Sequence, residues 1–149
     1  AEDALPDLKD NGVRLQAEAP VGDQSPLTLL YVEDNLENVR LMEELLLLRP
    51  HVELLTAMQA SVGLQLARDR RPDVIFLDLH LPDQNGDVVL QELKADDRTR
   101  DIPVYMLTAD AQHEQEGHLL QLGAREYVTK PIDVDRILAI LDQLKPENS

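Results

Sequence analysis

Val74-Ile75-Phe76-Leu77-Asp78 is the stretch on which the fold of this chain turns. Four apolar residues, two of them β-branched and one aromatic, run straight into a carboxylate. Pro72 lies just before them, and Leu79-His80-Leu81-Pro82-Asp83-Gln84-Asn85-Gly86 follows. An apolar run of this length between turn signals reads as a strand buried on both faces. Such a strand ends at the rim of a sheet. Asp78 therefore sits at a carboxyl end, either as a turn residue or as the centre of the chemistry.

Outward from this strand the chain alternates. A first strand over 27–32 runs into Glu33-Asp34-Asn35, and a helix over 36–49 is stopped by Pro50. A short strand over 52–55 precedes a helix over 58–70, where Met58, Val62 and Leu66 form a stripe closed by Pro72. After the strand over 73–78, Val89, Leu90 and Leu93 mark a third helix with Asn85 or Asp87 as its cap. A fourth strand over 102–107 ends in Thr108. A weaker helix over 110–121 and a fifth strand over 125–128 come next, then Lys130-Pro131. Asp133 caps a last helix with Val134, Ile137, Leu141 and Leu144 on one face. Five strands alternating with five helices predict an α/β, doubly wound, five-stranded parallel sheet. In such sheets ligands bind beyond the carboxyl ends of the strands. Glu33, Asp34, Asp78, Thr108 and Lys130 all fall at that rim.

The totals bound the rest. With 149 residues, 43% of them hydrophobic, the chain has material for one domain core. It holds no Cys, which excludes a disulfide framework and fits a reducing compartment, so a cytoplasmic location is expected. A net charge of −15 argues against direct binding to nucleic acid or an anionic membrane surface. No apolar run is long enough to span a bilayer, and no signal peptide shows. Residues 1–26 carry six acids against two bases, with three prolines and two glycines, and read as a flexible linker or extension. The domain is expected over 27–145, with 146–149 as a tail.

Three carboxylates at one rim repel one another unless a cation joins them. Oxygen ligands without Cys or ring nitrogen suit a hard cation such as Mg²⁺. A carboxylate beside that cation can act as a phosphoryl-accepting nucleophile. Lys130 supplies a point charge and Thr108 a hydroxyl donor for the phosphoryl oxygens. Neither GxxxxGK[ST] nor GxGxxG occurs, so ATP and dinucleotides are not direct substrates. Taken singly, each residue also reads as a turn, a helix cap or an exposed lysine. Their joint placement favours a phosphoryl-transfer site.

Glu33-Asp34-Asn35, Phe76-Leu77-Asp78 with Leu81-Pro82-Asp83 and Gly86, Leu107-Thr108-Ala109, and Tyr127 with Thr129-Lys130-Pro131 together resemble the receiver domain of two-component response regulators, the CheY-like fold. The resemblance covers about 27–145. It implies strand order 2-1-3-4-5, for which the flavodoxin-like CheY is a standing example. It implies that Asp78 accepts a phosphoryl group from a histidine kinase or histidine phosphotransfer domain. Asp34 and Asp78 would ligate Mg²⁺ directly, Glu33 through water, and the backbone carbonyl of His80 would complete the set. Thr108 and Lys130 would hold the phosphoryl oxygens, the Lys130–Pro131 bond would be cis, and Thr108 with Tyr127 would form the switch. Such a domain assists only its own phosphorylation and dephosphorylation and is otherwise not an enzyme. Gln84 stands where Met is common in the family, and His80 and Asp110 flank the site at variable positions. His51, His113 and His118 show no ligand spacing.

No effector domain is expected after the last helix. The acidic N-terminal stretch resembles the linker before a C-terminal receiver in hybrid histidine kinases. On the first helix, Val39, Met42 and Leu46 suffice for one buried stripe, while Leu41, Leu45 and Leu48 form a second. The second stripe is a wide core face, a docking patch for a histidine-bearing bundle centred on Leu41 and Leu45, or a seat for the N-terminal segment. Two other functions compete: a degenerate receiver serving as a docking module, and a phosphohydrolase. The latter would carry a second Asp two residues after Asp78, where this chain has His80.

Overall fold

The computed structural model describes residues 25–109 and 113–144. The segment 1–24, Asp110, the side chain of His113 and the tail beyond Leu144, on which expectations were stated above, lie outside the described residues. Within them, five parallel strands form one sheet in the order β2-β1-β3-β4-β5. The strands are β1 (Leu27–Val32), β2 (Val52–Ala57), β3 (Val74–Asp78), β4 (Val104–Thr108) and β5 (Glu126–Thr129). The helices are α1 (Leu36–Leu45), α2 (Ala60–Arg70), α3 (Gly86–Ala95), α4 (His113–Gln121) and α5 (Val134–Gln143).

The two-residue period of the strands sorts their side chains into two cores. Leu30, Val32, Ile75, Leu77, Val104 and Met106 pack on one face with Leu64, Val89, Leu90 and Leu119 of α2, α3 and α4. Leu29, Tyr31, Val74, Phe76, Tyr105 and Leu107 pack on the other with Met42 of α1 and Ile137 and Leu141 of α5. Every residue of β3 is buried, as its unbroken apolar run predicts. On the α1/α5 face the Phe76 and Tyr105 rings meet edge to face at 5.5 Å. Arg49, after α1, grips Asp142 of α5 through two hydrogen bonds of 2.6 and 2.7 Å.

Two helices differ from expectation. On α1, Val39, Met42 and Leu45 are buried, and a 3-10 turn over Leu46–Leu48 follows. Leu45 is only 4% exposed, so it is a core residue and not a docking contact. Positions 42, 45 and 46 lie three and four apart and share the sheet-facing side. Leu41 is half-buried, and the exposed apolar residues of this region are Leu36, Leu47 and Leu48.

On α2 the stripe Met58, Val62 and Leu66 is not the core face. Met58 and Val62 are exposed, Leu66 is half-buried, and Ala60, Gly63, Leu64 and Ala67 are buried instead. Small residues let this helix lie close against β1. A Cβ on Gly63 would come within 2.8 Å of a Val32 methyl. The helix starts at Ala60 because Asp83, from the loop after β3, accepts hydrogen bonds from the Ala60 and Ser61 amides at 2.7 and 3.1 Å. Gln59, the local cap position, contributes no side-chain bond.

Candidate functional site

The carboxyl ends of β1, β3, β4 and β5 meet at one rim. Val32 pairs with Leu77, Asp78 with Leu107 and Thr108 with Thr129, which brings Glu33, Asp78, Thr108 and Lys130 to neighbouring positions. Glu33, Asp78 and Thr108 are buried, whereas Asp34 is exposed. Carboxylate oxygens of Glu33, Asp34 and Asp78 all lie within 4.8 Å of one another.

Lys130 faces this acidic group. Its ammonium donates to Glu33 Oε1 at 2.7 Å and lies 3.3 Å from Asp78 Oδ2. Its backbone amide donates to the Thr108 carbonyl at 2.7 Å, locking β5's end to β4's. The Lys130–Pro131 bond is cis. Asp78 Oδ1 accepts the His80 amide at 3.2 Å, so the residue expected to offer a carbonyl ligand is tied to the Asp78 carboxylate. Tyr127 is half-buried against the core on the α2/α3/α4 side.

The electrostatics follow from burial and like charge. Burial, and then the Glu33 charge, push Asp78 up to about 6. Glu33 is also raised by burial, but the Lys130 hydrogen bond and charge outweigh this and hold it below the usual carboxylate range. Burial works against the Lys130 charge, and the two carboxylates more than compensate, holding it above its ordinary value.

Glu33 accepts four hydrogen bonds from described residues. Oε1 accepts from Tyr31 Oη at 3.1 Å and Asn38 Nδ2 at 3.3 Å besides Lys130, and Oε2 accepts from the Asn35 amide at 3.2 Å. Sequence reasoning missed Tyr31 and Asn38. Residues two apart on a strand share a face, and that period was the available signal for Tyr31. Gly86 was noted only as part of a motif. A Cβ there would lie 2.5 Å from the Asp78 carbonyl oxygen and 2.8 Å from Leu79 Cα, so the loop closes only over glycine.

The residues present fit a hard divalent cation. The donors are oxygens, the cluster is compact, and a carboxylate raised by burial and then by its neighbour gains from an added positive charge. Among the described residues no helix is long and apolar enough to cross a membrane.

A doubly wound parallel sheet in this order, with an acidic cluster and a facing lysine at the strand ends, defines the class of flavodoxin-like signalling receivers. Comparison with known proteins gives the family. The response regulator receiver domain family model matches residues 29–142, and the chain belongs to that family, the receiver domains of two-component signalling. The polar-differentiation response regulator DivK of Brucella anthropi is 37% identical over 113 residues, covering 76% of this chain and 91% of DivK. The signal transduction histidine-protein kinase BarA of Escherichia coli is 32% identical over 130 residues, covering 85% of this chain but 14% of BarA. Among solved structures, the receiver domain of a sensor histidine kinase from Pseudomonas aeruginosa superimposes with a TM-score of 0.70 at 27% identity. The match covers 78% of this chain and 95% of that one, which has a magnesium ion coordinated in its active-site cleft.

Proposed function

We propose that Asp78 is the phosphoacceptor of this receiver and that a histidine kinase or histidine phosphotransfer domain is its donor. The observation that carries the proposal is the placement of Asp78. It is a buried carboxylate at the end of a central strand, inside the acidic cluster and 3.3 Å from the Lys130 ammonium. In the transfer, an Asp78 oxygen bonds phosphorus as the phosphorus–nitrogen bond of a phosphohistidine breaks and imidazole leaves. Lys130 pairs with the phosphoryl oxygens, and the Thr108 hydroxyl donates to them.

Asp34, Asp78 and the His80 carbonyl would hold Mg²⁺, with Glu33 acting through water. When bound there, Mg²⁺ neutralises the carboxylates and the phosphoryl oxygens. The three donors on Glu33 Oε1 support its indirect part, with Oε2, which takes only the Asn35 amide, as the oxygen that would face a bridging water. The buried Thr108 and half-buried Tyr127 form the switch, with Thr108 drawn toward the phosphoryl group and Tyr127 turning inward. The partner docks over the first turns of α1, where Leu36 is exposed two residues after Asp34 and Leu41 is half-buried. The receiver unit spans 27–145 and works in the cytoplasm, where phosphohistidine donors of the kinase class act.

Incubation with Mg²⁺ and acetyl phosphate, followed by intact-mass measurement, tests the assignment. One phosphoryl group is expected on the wild type and none on Asp78→Asn. A modification that persists in the variant would sink the proposal.

A further inference from the structure

Two of the four donors to Glu33 come from side chains with no part in the proposed transfer. Tyr31 Oη and Asn38 Nδ2 both end on Oε1, and the carboxylate is 1% exposed. Oε1 takes three of the four donors, Tyr31, Asn38 and Lys130, and Oε2 takes the Asn35 amide alone. The Tyr31 ring is fully buried in the core that also holds Met42, Phe76 and Leu107, so its hydroxyl is delivered from a fixed platform. Asn38 reaches the same oxygen from the first turn of α1, whose cap Asn35 accepts the Asn38 amide at 3.2 Å.

The need for such anchors lies in residue 33 itself. Glutamate is one methylene longer than aspartate and has one more rotatable bond to order. Lys130 already sets a positive charge against this carboxylate, and a further cationic anchor would cancel more of the negative charge that the cation site requires. A hydroxyl and an amide fix the carboxylate and leave its charge intact.

We propose that Tyr31 is a positioning residue for the cation site, holding Glu33 Oε1 in place, with Asn38 as the second anchor; this rests on the phosphoacceptor reading above. Partners that orient metal-site carboxylates typically change metal affinity by one to two orders of magnitude when removed.

The test uses the full chain and Mg²⁺ alone. Tyr31→Phe keeps the ring and is expected to weaken Mg²⁺ binding by about tenfold while the unfolding midpoint in chelator stays near wild type. In a Glu33→Gln background the same change is expected to have little further effect, because the contact it removes is already altered. The chain has no Trp and three Tyr, so Mg²⁺ titration is expected to perturb near-ultraviolet tyrosine absorption in the wild type and not in Tyr31→Phe. Asn38→Ala provides a second variant on the same oxygen, expected to weaken Mg²⁺ in the same direction. A wild-type dissociation constant in both variants, or an equal loss in the Glu33→Gln background, overturns the inference alone. Failure of the wild type to bind Mg²⁺ overturns the phosphoacceptor reading and the inference together.

Discussion

The Lys130 ammonium is hydrogen-bonded to Glu33, at 2.7 Å, more closely than it approaches Asp78, at 3.3 Å. In this arrangement lysine is the cation that lets two buried carboxylates coexist. It therefore competes with any divalent ion for the same negative charge.

Lys130→Met should expose that competition. Without metal, the variant leaves Glu33 and Asp78 facing each other and is expected to lose about 1–3 kcal/mol of stability. That is below the cost of breaking a wholly buried pair, because Lys130 keeps some contact with solvent. Mg²⁺ should then stabilise the variant more than it stabilises the wild type. Urea unfolding with Mg²⁺ and with a chelator measures both quantities, and an equal Mg²⁺ effect in the two proteins would refute the competition.

Asp78 gives a pH dependence of definite sign. Its carboxyl is raised from its ordinary 3.8 to about 6, first by burial and then by Glu33. A raised acid stabilises the metal-free fold below its ordinary value, and that contribution is lost as pH rises through about 6. Asp78→Asn mimics the neutral form. In chelator it should be more stable than wild type by about 1–3 kcal/mol at pH 7.5, and the difference should close between pH 6 and pH 4. Mg²⁺ affinity of the wild type should fall over the same interval, because the ligand must be ionised. Paired urea and calorimetric titrations at pH 5 and 7.5 check both, and a stability gap independent of pH would contradict the cause assigned to the shift.

Three of the rim residues were legible because each ends or directly follows a strand whose apolar run is visible in the sequence. Glu33, Asp78 and Thr108 follow unbroken buried runs, so period and polarity place them without reference to distant residues. What escaped depends on partners far along the chain. The start of α2 is set by Asp83, 23 residues away, and its buried face by Ala60, Gly63 and Ala67, which carry little hydrophobic signal. The docking stripe failed at Leu45 because a leucine-rich helix offers several apolar lines, and only the position of the sheet selects one.

Asp83 caps α2 across the loop that follows Asp78, and its carboxyl is held below the ordinary range chiefly by the Ala60 amide. Asp83→Ala should free the first turn of α2 without touching the core. The Ala60 and Ser61 amides are expected to exchange faster with deuterium, while amides of β1 and β3 keep their protection. Unchanged exchange at Ala60 would mean that the helix start is held by something else.

Gly86 presents the sharpest steric demand at the site. Its amide donates to the Leu79 carbonyl at 2.6 Å, and a Cβ would lie 2.5 Å from the Asp78 carbonyl oxygen. The obstacles are backbone atoms, which cannot turn aside as a side-chain tip can. Gly86→Ala must therefore move α3's first turn away from β3 or shift the 78–80 backbone. Overpacking of this kind costs about 1–3 kcal/mol. The second response also displaces the His80 amide from Asp78, a bond of 3.2 Å that orients the carboxylate. The variant should fold with reduced stability, and acetyl phosphate should modify it more slowly than wild type at saturating Mg²⁺. Wild-type stability together with wild-type phosphorylation would show that the loop tolerates a methyl group there and that glycine is not required for the site's geometry.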